Sequence, residues 1–431
     1  MNEIKKILPK YSNAEIEKFD NEDKFMDAYV ILLKQSIELI YRIVGLEYGD
    51  IDGVPKNIHR LFKTNKINQQ NKPTKYKKIM LLLAYFTVCN ITYSQAEKVD
   101  VAIKDLMQKN RIVGLQLAII KDNVIVKTSH YGLVSVEDSI AVDSQTIFSI
   151  NSITKVFTGV AIMQLVENGK LNLDEPISKY LDKLPKTWQN ITVKQIVTHQ
   201  SGLPEIWDSQ GNMFSENSET LFQKIKELPL IFKPGKEFRD SQANYLLLGM
   251  LIEKISGQSF EKFITENQYR KAGMKNSIKA GIGDFYNIIK HSAKPYSYFR
   301  NNVLTNVYQP IPSNLYPAGG IYSTATEMAK WVIALQSNQL INAENLNTLW
   351  TPIRLGNGEI YQKNGFLNQS SIGFYSSSRV KKPVIASLGG NRNALYIYPK
   401  DNVSIVILTN LVGSRPENFI EEIANLYLTE E

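Results

Sequence analysis

The chain has one cysteine, Cys89, and only four histidines in 431 residues. One thiol cannot build an internal disulfide framework, and no Cys/His cluster has the spacing of a zinc site. No G-x-x-x-x-G-K-[ST] or G-x-G-x-x-G element follows a strand-like run, so the glycine loops that cradle phosphates are missing. Charge of one sign is not concentrated either. The net charge of +8 divides into 15 basic against 11 acidic residues over 1–96, and 35 against 31 over 97–431. A dilute basic excess with no stripe serves solubility and makes no case for a nucleic-acid partner. The apolar run Ile79 to Ile91 is thirteen residues long, short of the ~20 that a membrane helix takes.

That run has the length of a signal-peptide apolar core. Lys75-Tyr-Lys-Lys78 precedes it, and Ser94-Gln-Ala96 places small residues at −3 and −1 of a cleavage before Glu97. Val88 before Cys89 argues against lipid attachment. The expected organisation is therefore an unassigned helical segment and polar linker over 1–75, a signal peptide or signal anchor over 76–96, and one domain over 97–431. Residues 1–75 fit either an extension upstream of a secretory precursor or a cytoplasmic segment before a signal anchor. The body would accordingly be exported, periplasmic or secreted, or else membrane-anchored with the 97–431 domain outside. Membrane association would come only through an uncleaved 76–96 segment.

The composition of the body, 43% hydrophobic and 21% charged for the whole chain, is ample for a large core. Glu97 to Lys109 reads as an opening helix. Two apolar runs flank Asp122-Asn123, a hairpin signal. Helical patches joined by Pro/Gly loops fill about 149–335. Strands return at Ile372–Tyr375, Val384–Ser387, Ala394–Tyr398 and Val403–Thr409, and a helix is expected from Pro416 to Tyr427. This predicts an α+β fold: an antiparallel sheet built from N- and C-terminal strands, flanked by helices, with a mainly helical mid-chain region.

The most informative stretch is Phe148-Ser-Ile-Asn-Ser152-Ile-Thr-Lys155. A Ser and a Lys three residues apart share a helix face. Burial of such a pair at a helix start would lower the lysine's affinity for its proton and favour negative charge near the hydroxyl. That is how a weak nucleophile and an idle base are activated together. A bare S-x-x-K also fits an ordinary helical turn with a solvated lysine, so the flanks decide. An apolar helix follows and ends at Gly169. Then come Lys170-Leu-Asn-Leu-Asp-Glu-Pro176, Ile196-Val-Thr-His199-Gln-Ser-Gly202-Leu-Pro204, Tyr245-Leu-Leu-Leu-Gly249 and Pro317-Ala-Gly-Gly-Ile-Tyr-Ser-Thr324.

Read together, these blocks resemble the serine beta-lactamase and penicillin-binding-protein-like hydrolases, in particular the class C beta-lactamase and esterase branch. The resemblance covers about 97–431. It implies that Ser152 forms an acyl-enzyme and that Lys155 is its base. The substrate it implies is a β-lactam, a D-Ala-D-Ala peptide or a small ester, with no metal or cofactor. The family's second motif, Y-x-N, registers on Asp240-Ser-Gln242. Gln for Asn keeps an amide for substrate positioning. Asp for Tyr removes a phenol and puts an anion beside Lys155, which would hold the ammonium charged. Tyr245, five residues on, is expected to face helix packing. The third motif, K-T-G or H-x-G, registers on Ser387-Leu-Gly389-Gly390. The glycines remain, the cation is gone, and Arg392 is the nearest replacement. Gly390 would supply an oxyanion N–H together with that of Ser152, although a Gly pair also fits a strand bulge. His199 reads as a structural histidine, and Asp174 as a cap or turn ion pair. Because two of three motifs depart from pattern, the alternative function is an impaired relative that binds a peptide or cell-wall fragment without efficient turnover.

Overall fold

The computed structural model describes residues 97–428, apart from 210–212, 216, 285 and 309. The expectations for 1–96 lie outside the described residues. Helix α1 (residues 97–109) leads into β1 (Gly114–Lys121) and β2 (Val124–Ser135). Asp122 and Asn123 both take positive φ, 51° and 60°, as a tight two-residue hairpin turn requires.

The main sheet is completed by β3 (Ile140–Ala141), β4 (Gln369–Ser370), β5 (Tyr375–Ser376), β6 (Ile385–Gly389), β7 (Asn393–Tyr398) and β8 (Val403–Thr409). Its spatial order is β3-β2-β1-β8-β7-β6-β5-β4, and every pairing is antiparallel. First and last strands thus meet at β1–β8, Leu117 opposite Ile407, as expected for an α+β layout. Alternate residues serve two cores, because side chains along a strand alternate faces. Leu115, Leu117 and Ile119 pack with Val99, Ile103 and Leu106 of α1 and with Ile420 and Ile423. Ala118 and Ile120 face the larger core, shared with α2 (Thr154–Glu167) and α3 (Gln242–Ser256).

Every residue of α2 from Thr154 to Leu165 is buried. Such a helix is core all round, so its N-terminus is held from every side. Two sequence expectations need correction. Strand β5 begins only at Tyr375, because the chain turns at Gly373, where φ is 73°. The closing helix is in two pieces, a 3₁₀ turn Pro416–Asn418 and α4 (Ile420–Ala424), separated by Phe419 at φ −135°.

Candidate active site

Ser152 sits in a 3₁₀ turn, Asn151–Ile153, that runs directly into α2. Asn151 is left-handed, φ 50°, a conformation Asn tolerates better than most residues. The Asn151 Oδ1 accepts from Arg392 Nε at 2.7 Å, and Asn393 Nδ2 donates to the Ser149 carbonyl at 2.9 Å. Ile150 N–H donates to the Ile321 carbonyl at 3.0 Å, and the Ile321 N–H donates to Thr154 Oγ1 at 3.1 Å. These bonds fix the turn carrying Ser152 before any substrate arrives.

The turn faces a cavity of about 290 Å³ whose lining includes Ser152, Lys155, His199, Asp240, Gln242, Tyr245, Lys363, Tyr375, Ser387 and Gly390. Six sequence-predicted positions are therefore together: Ser152, Lys155, Asp240, Gln242, Gly390 and, directly behind them at the end of β6, Gly389. A Cβ on Gly389 would lie 2.1 Å from the Ile150 carbonyl oxygen, and one on Gly390 would lie 2.9 Å from Asn151 Oδ1, at a φ of 58°. The glycine pair is what lets the end of β6 lie against the nucleophile turn. The Gly390 N–H makes no backbone hydrogen bond among the described residues. Gln242 opens α3 behind the cap Ser241, whose side chain accepts from the Ala243 N–H.

Lys155 is 7% exposed and donates to Asp240 Oδ1 at 2.7 Å. Its Nζ stands 5.1 Å from the centre of the Tyr245 ring, so Tyr245, though buried as expected of a packing residue, also floors the site. Asp240 is a hub. Its Oδ1 also lies 3.6 Å from His199 Nε2, and its Oδ2 accepts from the Tyr375 hydroxyl at 3.0 Å. Burial pushes the Asp240 carboxyl up, but this is outweighed by the electrostatic pull of His199, which is charged only in acid, and of Lys155, and by the hydrogen bonds from Lys155 and Tyr375. The net result is well below the ordinary carboxylate range. Burial in turn lowers His199 to about 4, against an opposing pull from Asp240. The imidazole is thus neutral at pH 7, and Lys155 is the cation that balances Asp240. His199 Nδ1 accepts from the Ser241 N–H at 3.1 Å, which leaves the ring proton on Nε2, toward Asp240. His199 anchors α3, as a structural residue would, and it also lines the cavity.

Arg392 goes elsewhere. It is 2% exposed, absent from the cavity wall, and braces Asn151. Burial lowers its guanidinium to about 10, with Tyr322 opposing, so it remains charged beneath the turn. A second lysine at the cavity wall is Lys363, from the irregular segment before β4. Its ammonium lies 4.1 Å above the Tyr375 ring. Ser387 occupies the motif position itself, 2% exposed. Sequence reasoning missed Tyr375 and Lys363, since neither lies in a recognisable motif and both arrive through distant pairings. Asp174 pairs with Lys194 at 3.6 Å on the surface, away from the chemistry. Among the described residues, no group of three or more His, Cys, Asp or Glu side chains could hold a metal ion.

Comparison with known proteins places this arrangement. The sequence profile of the beta-lactamase family matches residues 99–428. "Protein flp" of Staphylococcus aureus (strain MRSA252) is 28% identical over 347 residues, covering 77% of this chain; the chain spans 66% of that relative's length. The "Teichoic acid D-alanine hydrolase" of the same strain is 26% identical over 408 residues, 92% of this chain and 93% of the relative. Among solved structures, an octameric penicillin-binding protein homologue from Pyrococcus abyssi superposes with a TM-score of 0.63 at 25% identity, each chain covered to 74%. An eight-stranded antiparallel sheet with flanking helices, a Ser-x-x-Lys turn opening a buried helix, and a profile match over more than three quarters of the sequence have one reading: the chain belongs to the beta-lactamase family of serine hydrolases.

Proposed function

We propose that this protein is a serine hydrolase that forms its acyl-enzyme on Ser152, within the 97–431 domain. The observation that carries the proposal is the joint placement in one cavity of the Ser152 turn, the Lys155–Asp240 pair and the Gly389–Gly390 strand end. Ser152 Oγ attacks the substrate carbonyl while its proton passes to Lys155, which gives one of its own to Asp240. The amides of Ser152 and Gly390 face the developing oxyanion, a contribution worth about 10²–10³ in rate per donor. Gln242 offers its amide to the substrate, and the aromatic faces of Tyr245 and Phe238 supply apolar wall.

For substrate class we propose esters of small acyl groups, with D-alanyl esters first. The teichoic acid D-alanine hydrolase is similar along 92% of this chain, and Ser387 gives no cation at the third-motif position to fix a β-lactam carboxylate. Relatives named as hydrolases, together with an intact Ser152, Lys155 and glycine pair, do not favour the impaired-binder reading. We further propose that the domain works outside the cytoplasmic membrane, as the 76–96 signal pattern suggests. The test is hydrolysis of p-nitrophenyl acetate and of a D-alanyl ester by the wild type and by Ser152→Ala. Loss of both activities in the variant, with an unchanged melting temperature, supports the proposal; retention of most activity defeats it.

A further inference from the structure

We propose that Tyr375 delivers the proton to the departing alcohol during acylation, at the end of a relay that begins at Ser152 and passes through Lys155 and Asp240. The inference rests on the acyl-transfer reading above. It adds a catalytic residue that comes from strand β5, where no family motif points.

The geometry is a continuous path. The Lys155 ammonium donates to Asp240 Oδ1 at 2.7 Å, and the Tyr375 hydroxyl donates to Asp240 Oδ2 at 3.0 Å. All three side chains line the same cavity as Ser152. One carboxylate therefore joins the base beside the nucleophile to a phenol on the facing wall, within hydrogen-bond reach at each step. The Asp at position 240 removed one phenol from the site, and the fold supplies another across the cavity.

The chemistry needs such a group. An alkoxide is a poor leaving group and departs only as it is protonated. Lys155 already directs one proton to Asp240, while the Tyr375 hydroxyl offers a second proton at the cavity wall. Burial, and then the Asp240 charge, push the Tyr375 phenol far above its ordinary range, so it is a fully protonated donor at neutral pH. The Lys363 ammonium, 4.1 Å above the ring, stabilises the negative charge that the phenol would carry as its proton leaves.

The step balances. The Ser152 O–H bond breaks as Oγ bonds to the acyl carbon. That proton goes to Lys155 as Lys155 passes one of its own to Asp240. The acyl–oxygen bond of the ester breaks, and the leaving oxygen takes the Tyr375 hydroxyl proton. Tyr375 then recovers a proton from Asp240. Every side chain ends with its starting charge, Ser152 now carries the acyl group, and the alcohol leaves neutral.

The experiment compares acylation of the full chain by p-nitrophenyl acetate, whose leaving group needs no proton, with acylation by ethyl acetate, whose leaving group does. Tyr375→Phe keeps the ring and its contact with Lys363. It is expected to slow the activated ester by no more than about threefold and the alkyl ester by about 10²–10⁴-fold, the range of a positioned acid. Equal slowing of both esters overturns the relay, as does a wild type that turns over only the activated ester. On the wild type alone, a proton inventory in H₂O/D₂O mixtures is expected to bow more strongly for ethyl acetate, whose leaving group adds the Tyr375 proton to those moving between Ser152, Lys155 and Asp240, than for p-nitrophenyl acetate. Equal curvature for the two esters overturns the relay even if the variant fails to fold. A wild type that acylates with neither ester defeats the acyl-transfer reading itself, a result distinct from the other outcomes.

Discussion

Gly389→Ala tests whether the approach of β6 to the nucleophile turn sets the catalytic geometry. In the native chain a Cβ at this position would stand 2.1 Å from the Ile150 carbonyl oxygen and 3.2 Å from an Ile153 side-chain carbon. Carbon–oxygen contacts settle near 3.3 Å, so the strand end and the turn must part by about 1 Å. The obstructing atom is backbone, and that backbone is pinned by the Ile150–Ile321 hydrogen bond, so the strain cannot be relieved by a rotamer change. Overpacking of this kind costs about 1–3 kcal/mol of stability. A displacement of about 1 Å between nucleophile and oxyanion donor costs on the order of 10²-fold in rate. The assay is the pre-steady-state acylation burst with p-nitrophenyl acetate, alongside thermal unfolding. Gly169→Ala is the control. It lies just beyond the far end of α2 at φ 66° with nothing within 4 Å of its Cβ, so it should cost about 1–2 kcal/mol of left-handed strain and leave the burst intact. A Gly389→Ala protein that acylates at the wild-type rate refutes the reasoning, because the strand end would then have no part in positioning the carbonyl.

Two other perturbations probe the hub. Asp240→Asn removes the counter-charge of Lys155 and the relay's central acceptor, and should lower acylation by about 10²–10⁴-fold. Asp240→Tyr should not restore it, and equal acylation rates in wild type and both variants would show that Asp240 takes no part in proton transfer. His199 gives a pH signature. Its folded value of about 4 lies below the ordinary 6.5, so the unfolded chain binds a proton first on acidification. Stability is then full above pH 6.5 and falls by up to about 3 kcal/mol as pH drops to 4. Denaturant midpoints at a series of pH values should show this loss, and His199→Asn, which suits the φ of 58°, should flatten it. Parallel curves for the two proteins would contradict a buried neutral imidazole.

The fold was largely legible because its signals are local. Asp122-Asn123 adopts the two positive φ values that a tight hairpin demands, and Gly169 closes α2 where its left-handed φ is needed. Ser152 and Lys155 were readable from their spacing at a helix start, and Asp240 and Gln242 from the resemblance, whose second motif registers on the start of α3; all four line one cavity. What escaped depends on tertiary pairing. Tyr375 meets Asp240 across 135 residues, and only the sheet order and the turn at Gly373 decide where that phenol points. Arg392 carries the only cation in its local sequence and so drew the role of substrate contact. Its position one residue before β7 instead buries it under Asn151. His199 was read as structural from its sequence block, and its bond to Ser241 agrees, but its reach to Asp240 required the loop and α3 in register.

The central claim is that Ser152 is the acylated nucleophile. Its most direct test is peptide mapping by mass spectrometry after incubation with a fluorophosphonate. The account predicts one adduct per chain, on the peptide bearing Ser152, absent from Ser152→Ala and slowed in Gly389→Ala. A folded protein that takes no adduct, or takes it on another residue, would contradict the account.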